Sequence, residues 1–198
     1  MKPIQHTLRP AVISMLVLTA LLGILYPLAV TGIGQLAFPH NANGQQVHLH
    51  GRLIGSTEIG QRFTGARYFH TRPSGTTPPD NAAATTFANL GPNDVATERA
   101  IRANVRAYLH SNRPYDPGLT VSQIPVDAVD TSASGIDPDI SPANAAIQAR
   151  RVAAVRHLPL RTVMALVHTY TGGRGLGFSG EPAVNVMQLN LALDKERP

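Results

Sequence analysis

An apolar run near the N-terminus, Ala11 to Phe38, constrains this chain more than any other feature: no residue in it is formally charged, and Ser14, Thr19, Thr31 and Gln35 are its overtly polar positions. As a helix rising about 1.5 Å per residue, Ala11 to Leu36 alone reaches roughly 39 Å, more than the ~30 Å of hydrocarbon in a bilayer. It reads as a transmembrane helix with length to spare for tilt. A cleaved secretory leader has a shorter apolar core followed by a small-x-small site, and Gln35-Leu36-Ala37-Phe38-Pro39 is a poor match to one. Lys2 and Arg9 precede the run and no Lys or Arg follows it until Arg52, so the positive-inside bias directs the N-terminus to the cytoplasm. Everything after about His40 is then outside. Within the span Thr19, Gly23, Pro27 and Thr31 recur every four residues and share one side of the helix. Small residues and a proline admit a neighbouring helix, although Gly and Pro are also commoner in membrane helices generally.

With the anchor set aside, roughly 160 residues remain, a length for one domain. The expected organisation is 1–10 in the cytoplasm, 11–38 across the membrane, 39–46 as a polar connector and 47–198 as one compact extracytoplasmic α+β domain. Gly 17 and Pro 16 predict that this domain is rich in loops. The net charge of +5 is spread without a basic run, which speaks against a nucleic-acid partner. Cysteine is absent, so thiol catalysis and thiolate metal sites are excluded.

Along the chain, Val47 to His50 alternates as a short strand, with Arg52 to Gly55 as its hairpin partner beyond Gly51. His48 and His50 would share one strand face, as zinc ligands or as polar strand residues, but no further metal-ligand spacing accompanies them. Arg67, Tyr68 and Arg72 lie in a dense run of Gly, aromatic and Arg residues and read either as a contact surface or as anchors under a loop-rich fold. Gly75 to Asn89 reads as a surface loop. Asp94 caps a predicted helix to about Ser111 with Ile101, Val105, Tyr108 and Leu109 on its apolar face. Its opposite side carries Arg99, Arg102, Arg106 and then Arg113, a stripe for anionic lipid or simply a solvated face.

Leu119 to Val126 suggests short extended pieces around Pro125. The loop Val129 to Asp139, with Asp130, Asp137 and Asp139, is either a cation site or a set of turn formers that cap their own backbone. Ser141-Pro142 opens an Ala-rich helix to about Leu158, and a second helix follows from Leu160 to Thr171. Gly175 to Gly180 satisfies G-x-G-x-x-G literally, but it follows a helix and lacks the strand-to-helix context of a dinucleotide site. The last segment, Val184 to Leu193, reads as a short helix capped by Asn185, with alternating leucines as the strand-like alternative.

Several blocks together resemble one family, the C subunit of the bacterial Kdp-type potassium-transporting P-type ATPase. They are Leu53 to Phe63, Tyr68 to Ser74, Asn89 to Pro92, Ser132 to Ala143, Arg151 to Ala153 and Gly175 to Leu193. Together with the anchor they span essentially the whole chain, which departs from the family pattern at Ala84 to Ala88 and at Asp139. The resemblance implies a non-catalytic accessory subunit of a high-affinity potassium pump in the bacterial inner membrane. Its partners would be a channel-like potassium-binding subunit, a P-type ATPase subunit and a small lipid-like subunit. ATP and K+ would be handled by the complex, with no cofactor or metal bound by this chain.

The resemblance also implies a catalytic chaperone that raises the ATPase subunit's affinity for ATP, with Gln148 where a nucleotide-contacting glutamine is supposed. The charge bias places Gln148 outside, and no G-x-x-x-x-G-K-[ST] occurs, so an indirect coupling through the complex is expected. Arg67, Tyr68, Arg72, Asn89, Asp137 and Arg151 fall in the family blocks as surface candidates. Thr19, Gly23, Pro27 and Thr31 form the candidate face towards a membrane partner. The alternative function is a freestanding anchored module that binds a cation through His48, His50 and the acidic loop.

Overall fold

The computed structural model of the chain describes residues 2–83, 90–91 and 93–196. It divides into two units, 1–46 and 47–198. The first is helical: α1 (Lys2–Leu18), a wider π-turn (Thr19–Leu25), α2 (Tyr26–Ala37) and a short α3 (Pro39–Ala42). One helix, Thr7–Ala37, is long and apolar enough to cross a membrane. Its large side chains, among them Leu16, Leu22, Leu28 and Ile33, are exposed. A helix apolar on all sides is suited to lipid or to other helices. The π-turn has a local cause. Pro27 brings no N–H, and the Tyr26 N–H reaches five residues back to the Leu21 carbonyl, so the extra residue in the turn eases the ring into the helix.

The second unit begins with a hairpin of β1 (Gln46–Leu49) and β2 (Arg52–Ser56). His50 and Gly51 form its turn with φ of 51° and 77°, the double left-handed geometry that matches the twist of a two-residue hairpin. His50 therefore sits in the turn rather than on the strand beside His48, and the expected pair on one strand face is not formed. The Asp94 carboxylate accepts the Ala96 N–H at 2.7 Å to cap α4 (Val95–Asn112), whose Ile101, Val105, Tyr108 and Leu109 are half-buried. Where extended pieces were expected around Pro125, two 3-10 turns stand instead, Val121–Gln123 and Val126–Ala128. The Gln123 side chain accepts from the Thr120 N–H at 2.8 Å, and this local capping competes successfully with an extended backbone.

Ser141 caps α5 (Pro142–Arg156) by accepting the Asn144 N–H at 3.1 Å. The helix ends at His157, whose φ of 56° turns the chain into α6 (Leu160–Thr169). Ala145, Ala149 and Val152 on α5 are fully buried and lie in one core with Val163 and Val167 of α6. The small alanines let the two helices approach closely. A three-stranded antiparallel sheet covers this pair in the order β3 (Asp139–Ile140), β5 (Ala183–Asn185), β4 (Thr171–Gly172). The Gly-rich stretch is the hairpin between β4 and β5, held by the Gly175–Ser179 bridge, with Leu176 and Phe178 exposed. It joins strand to strand, so it does not open a helix. Asn185 then accepts the Gln188 N–H at 3.1 Å and caps α7 (Val186–Leu193), the helix expected there, which completes the core with Leu189 and Leu193.

Candidate functional site

The segment Arg67 to His70 lies in no helix or strand, yet Phe69 within it is fully buried. A buried backbone without a ladder must find other partners. Here four consecutive carbonyls are each taken by a side chain from α5 or α7. Arg156 Nε donates to the Arg67 carbonyl at 2.7 Å, and Arg151 Nη2 to that of Tyr68 at 2.9 Å. Asn190 Nδ2 donates to the Phe69 carbonyl at 2.9 Å, and Gln148 Nε2 to that of His70 at 3.1 Å. The two amides also accept in return: Asn190 Oδ1 from the Phe69 N–H at 2.9 Å, Gln148 Oε1 from the His70 N–H at 2.8 Å. Two side-chain amides thus act as the missing neighbouring strand.

Gln148 makes two further bonds, from Nε2 to Asn144 Oδ1 at 3.0 Å and to Oε1 from Arg151 Nη2 at 2.8 Å. Both amide hydrogens and both oxygen lone-pair directions are occupied, and the residue is 2% exposed. Asn144 passes the network on. Its Oδ1 accepts from the Tyr108 hydroxyl at 2.8 Å, and its Nδ2 donates at 3.0 Å to Asp127, whose carboxylate also takes the N–H and hydroxyl of Ser141, each at 2.8 Å. The clamp therefore ties α4, α5, α7 and the 3-10 turn Val126–Ala128 to one irregular segment.

A cavity of about 470 Å³ opens beside it, lined by Arg62, His70, Tyr108, Asn112, Gln148 and Arg151 among others. Burial, reinforced by the Arg151 guanidinium and opposed by the bond to the Gly65 carbonyl, lowers the His70 pKa to about 4. The ring is neutral at pH 7. Its contacts fit the tautomer protonated at Nε2, which donates to the Gly65 carbonyl at 3.0 Å, while Nδ1 accepts from Arg151 Nη1 at 3.4 Å. Burial raises the Tyr108 pKa, so it stays a hydroxyl.

Of the surface candidates, Arg151 is 2% exposed and is corrected to a buried position: it lies on the inward face of α5, where the Tyr68 carbonyl needs a donor. Tyr68 is an anchor. Its ring lies 5.0 Å from the Arg156 guanidinium and 5.5 Å from that of Arg67, and its hydroxyl reaches Asp194 at 3.2 Å. Arg72 and Asp137 pair with each other at 3.3 Å, and Arg72 also donates to the Thr131 carbonyl. Asn89 lies outside the described residues. Asp137 Oδ1 accepts the Asp139 N–H at 3.0 Å, the behaviour of a turn former. Among the described residues no group of three or more His, Cys, Asp or Glu is placed to hold a metal ion. On α4, Arg102 pairs with Glu98 at 2.7 Å, and Arg113 donates to the Leu119 carbonyl. Thr19, Gly23, Pro27 and Thr31 all lie in the membrane-length helix and are exposed.

Asn190, Arg156 and Asn144, missing from the sequence-based candidates, are as deep in the clamp as Gln148. Their signal was polarity on a face otherwise apolar, as with Asn190 between Leu189 and Leu193.

These features define a class: a compact α+β domain in which Gln148, Arg151, Arg156 and Asn190 hold the backbone of one irregular segment, on a chain with a membrane-length helix. Comparison with known proteins gives the family. The model for "K+-transporting ATPase, c chain" matches residues 8–195. The potassium-transporting ATPase KdpC subunit of Mycobacterium tuberculosis H37Rv is 48% identical over 192 residues, covering 96% of this chain and 99% of its own length. Those of Methylococcus capsulatus and Methylibium petroleiphilum are 50% and 49% identical, again over 96% of this chain and 97% and 98% of theirs. The chain belongs to the KdpC family, subunits of the potassium-transporting ATPase.

Proposed function

We propose that this chain is a non-catalytic accessory subunit of an ATP-driven potassium uptake pump in the bacterial inner membrane, with its N-terminus in the cytoplasm and its domain outside. It steadies the assembled pump, and any gain in the ATPase subunit's affinity for ATP is relayed through the complex. The observation that carries this reading is Gln148: with four internal hydrogen bonds, it has no donor or acceptor left for a nucleotide. Coupling between distant sites requires only that the subunit bind one state of the pump better than another. The partners are the channel-like potassium-binding subunit, the P-type ATPase subunit and the small lipid-like subunit. The side of the anchor bearing Thr19, Gly23, Pro27 and Thr31 packs against a partner helix, as small residues and a proline on one exposed side allow.

The test compares the full chain in detergent with the assembled pump. Equilibrium dialysis of the chain alone is expected to show no saturable ATP binding, while a pump assembled without it needs more ATP for half-maximal hydrolysis. Saturable binding by the isolated chain, abolished by Gln148→Ala in a protein that still folds, would overturn the indirect mechanism.

A further inference from the structure

The cavity beside the clamp has in its wall one buried cation, Arg151, for which the fold supplies no counter-ion. Arg151 is 2% exposed, and none of the ion pairs among the described residues includes it. Its Nη2 is engaged by the Tyr68 carbonyl and Gln148 Oε1 and its Nη1 by His70, while Nε has no partner. Arginine does not relieve such burial by losing its proton, because its intrinsic pKa is too high. A second cation, Arg62, lines the same cavity; the lining contains no Asp or Glu, and the carboxylate that acts on Arg62, Asp80, lies outside it. A buried guanidinium without a counter-ion is costly.

A ligand that offsets this cation carries negative charge. We propose that this cavity is a binding site for a small oxyanion of the inorganic phosphate type, held by Arg151 and Arg62. Gln148 shapes the wall and makes no bond to the ligand, since its amide is already fully engaged.

The test uses the full chain in detergent and inorganic phosphate, with chloride at matched ionic strength as control. Isothermal titration is expected to show one saturable phosphate site that chloride does not reproduce. Arg62→Gln, at an exposed position outside the clamp, should weaken phosphate about tenfold, the loss of one charge-assisted contact, while leaving the phosphate-free unfolding midpoint unchanged. Because a bound anion offsets the field of Arg151, phosphate should also raise the His70 pKa from about 4 in a proton NMR titration. Non-saturable heats equal to those of chloride would overturn the proposal. So would phosphate affinity unchanged in Arg62→Gln, or a His70 titration indifferent to phosphate.

Discussion

Replacing Gln148 by leucine tests whether the clamp holds the domain together. The substitution roughly keeps the side-chain volume and removes all four hydrogen bonds. Asn144 Oδ1 retains Tyr108 and Arg151 Nη2 retains the Tyr68 carbonyl, so the groups left without a partner are the N–H and C=O of His70. An orphaned buried polar group costs about 1–3 kcal/mol, which places the loss near 4 kcal/mol for the two. Against the roughly 5–15 kcal/mol that keeps a domain folded, this is a large share. At about 2–4 °C per kcal/mol for a domain of this size, the unfolding midpoint should fall by roughly 8–16 °C. Thermal unfolding of the full chain in detergent, followed through the tyrosine near-ultraviolet signal, reads it directly. Gln148→Glu keeps an acceptor for the His70 N–H and adds a counter-charge for Arg151, so its loss should be clearly smaller. A leucine variant that unfolds within about 1 kcal/mol of wild type would refute the reasoning, because two unsatisfied buried groups cannot be that cheap.

Three further outcomes follow from the same geometry. His70 has a folded pKa of about 4 against 6.5 in the unfolded chain, so the unfolded state binds its proton first. Its contribution is fully present above about pH 6.5 and is lost as the pH falls towards 4, on the order of 3 kcal/mol. Asp80 and Asp139, whose pKa values burial raises, act in the opposite sense, so the His70 share is the difference between wild type and His70→Gln in urea midpoints from pH 4 to 7. Matching profiles would remove that share. Arg156→Ala strands the carbonyls of Arg67 and Leu193 and the partly exposed Asp194, and should cost about 3 kcal/mol in urea unfolding, while Asp194→Asn, which leaves both carbonyl bonds intact, costs less. Gly60→Ala would bring a Cβ to 2.9 Å from the Asp137 carbonyl oxygen and 3.1 Å from that of Ile136, both backbone. Overpacking against backbone costs about 1–3 kcal/mol, visible as a lower thermal midpoint.

The anchor and the helices were legible because each announces itself locally. Ala11 to Phe38 is uncharged throughout, α4 repeats its apolar face, and Asp94, Ser141 and Asn185 cap as their positions suggest. The sheet was not legible: its strands are two or three residues long, too short to alternate, and β3 and β4 both exist by pairing with β5. Of the clamp, Gln148, Arg151 and Tyr68 stood out, but as ligand-contacting or surface residues. Gln148 shares its side of α5 with the buried Ala145, Ala149 and Val152. Its partner, the His70 backbone, lies 78 residues earlier and no periodicity announces it. The run holding Arg67, Tyr68 and Arg72, dense in aromatic and Arg side chains, read either as a contact surface or as anchors under a loop-rich fold, and it is the backbone beneath these side chains that the interior engages.

The central claim is that the domain stands outside the membrane and acts on the pump indirectly. The most direct measurement is a topology reading in the assembled complex. The chain has no cysteine, and Ser122 is exposed, so Ser122→Cys is a clean single reporter. With the outer membrane opened and the inner membrane intact, a thiol reagent that cannot cross the inner membrane is expected to label the introduced cysteine. Labelling that appears only after the inner membrane is broken would place the domain in the cytoplasm and contradict the account.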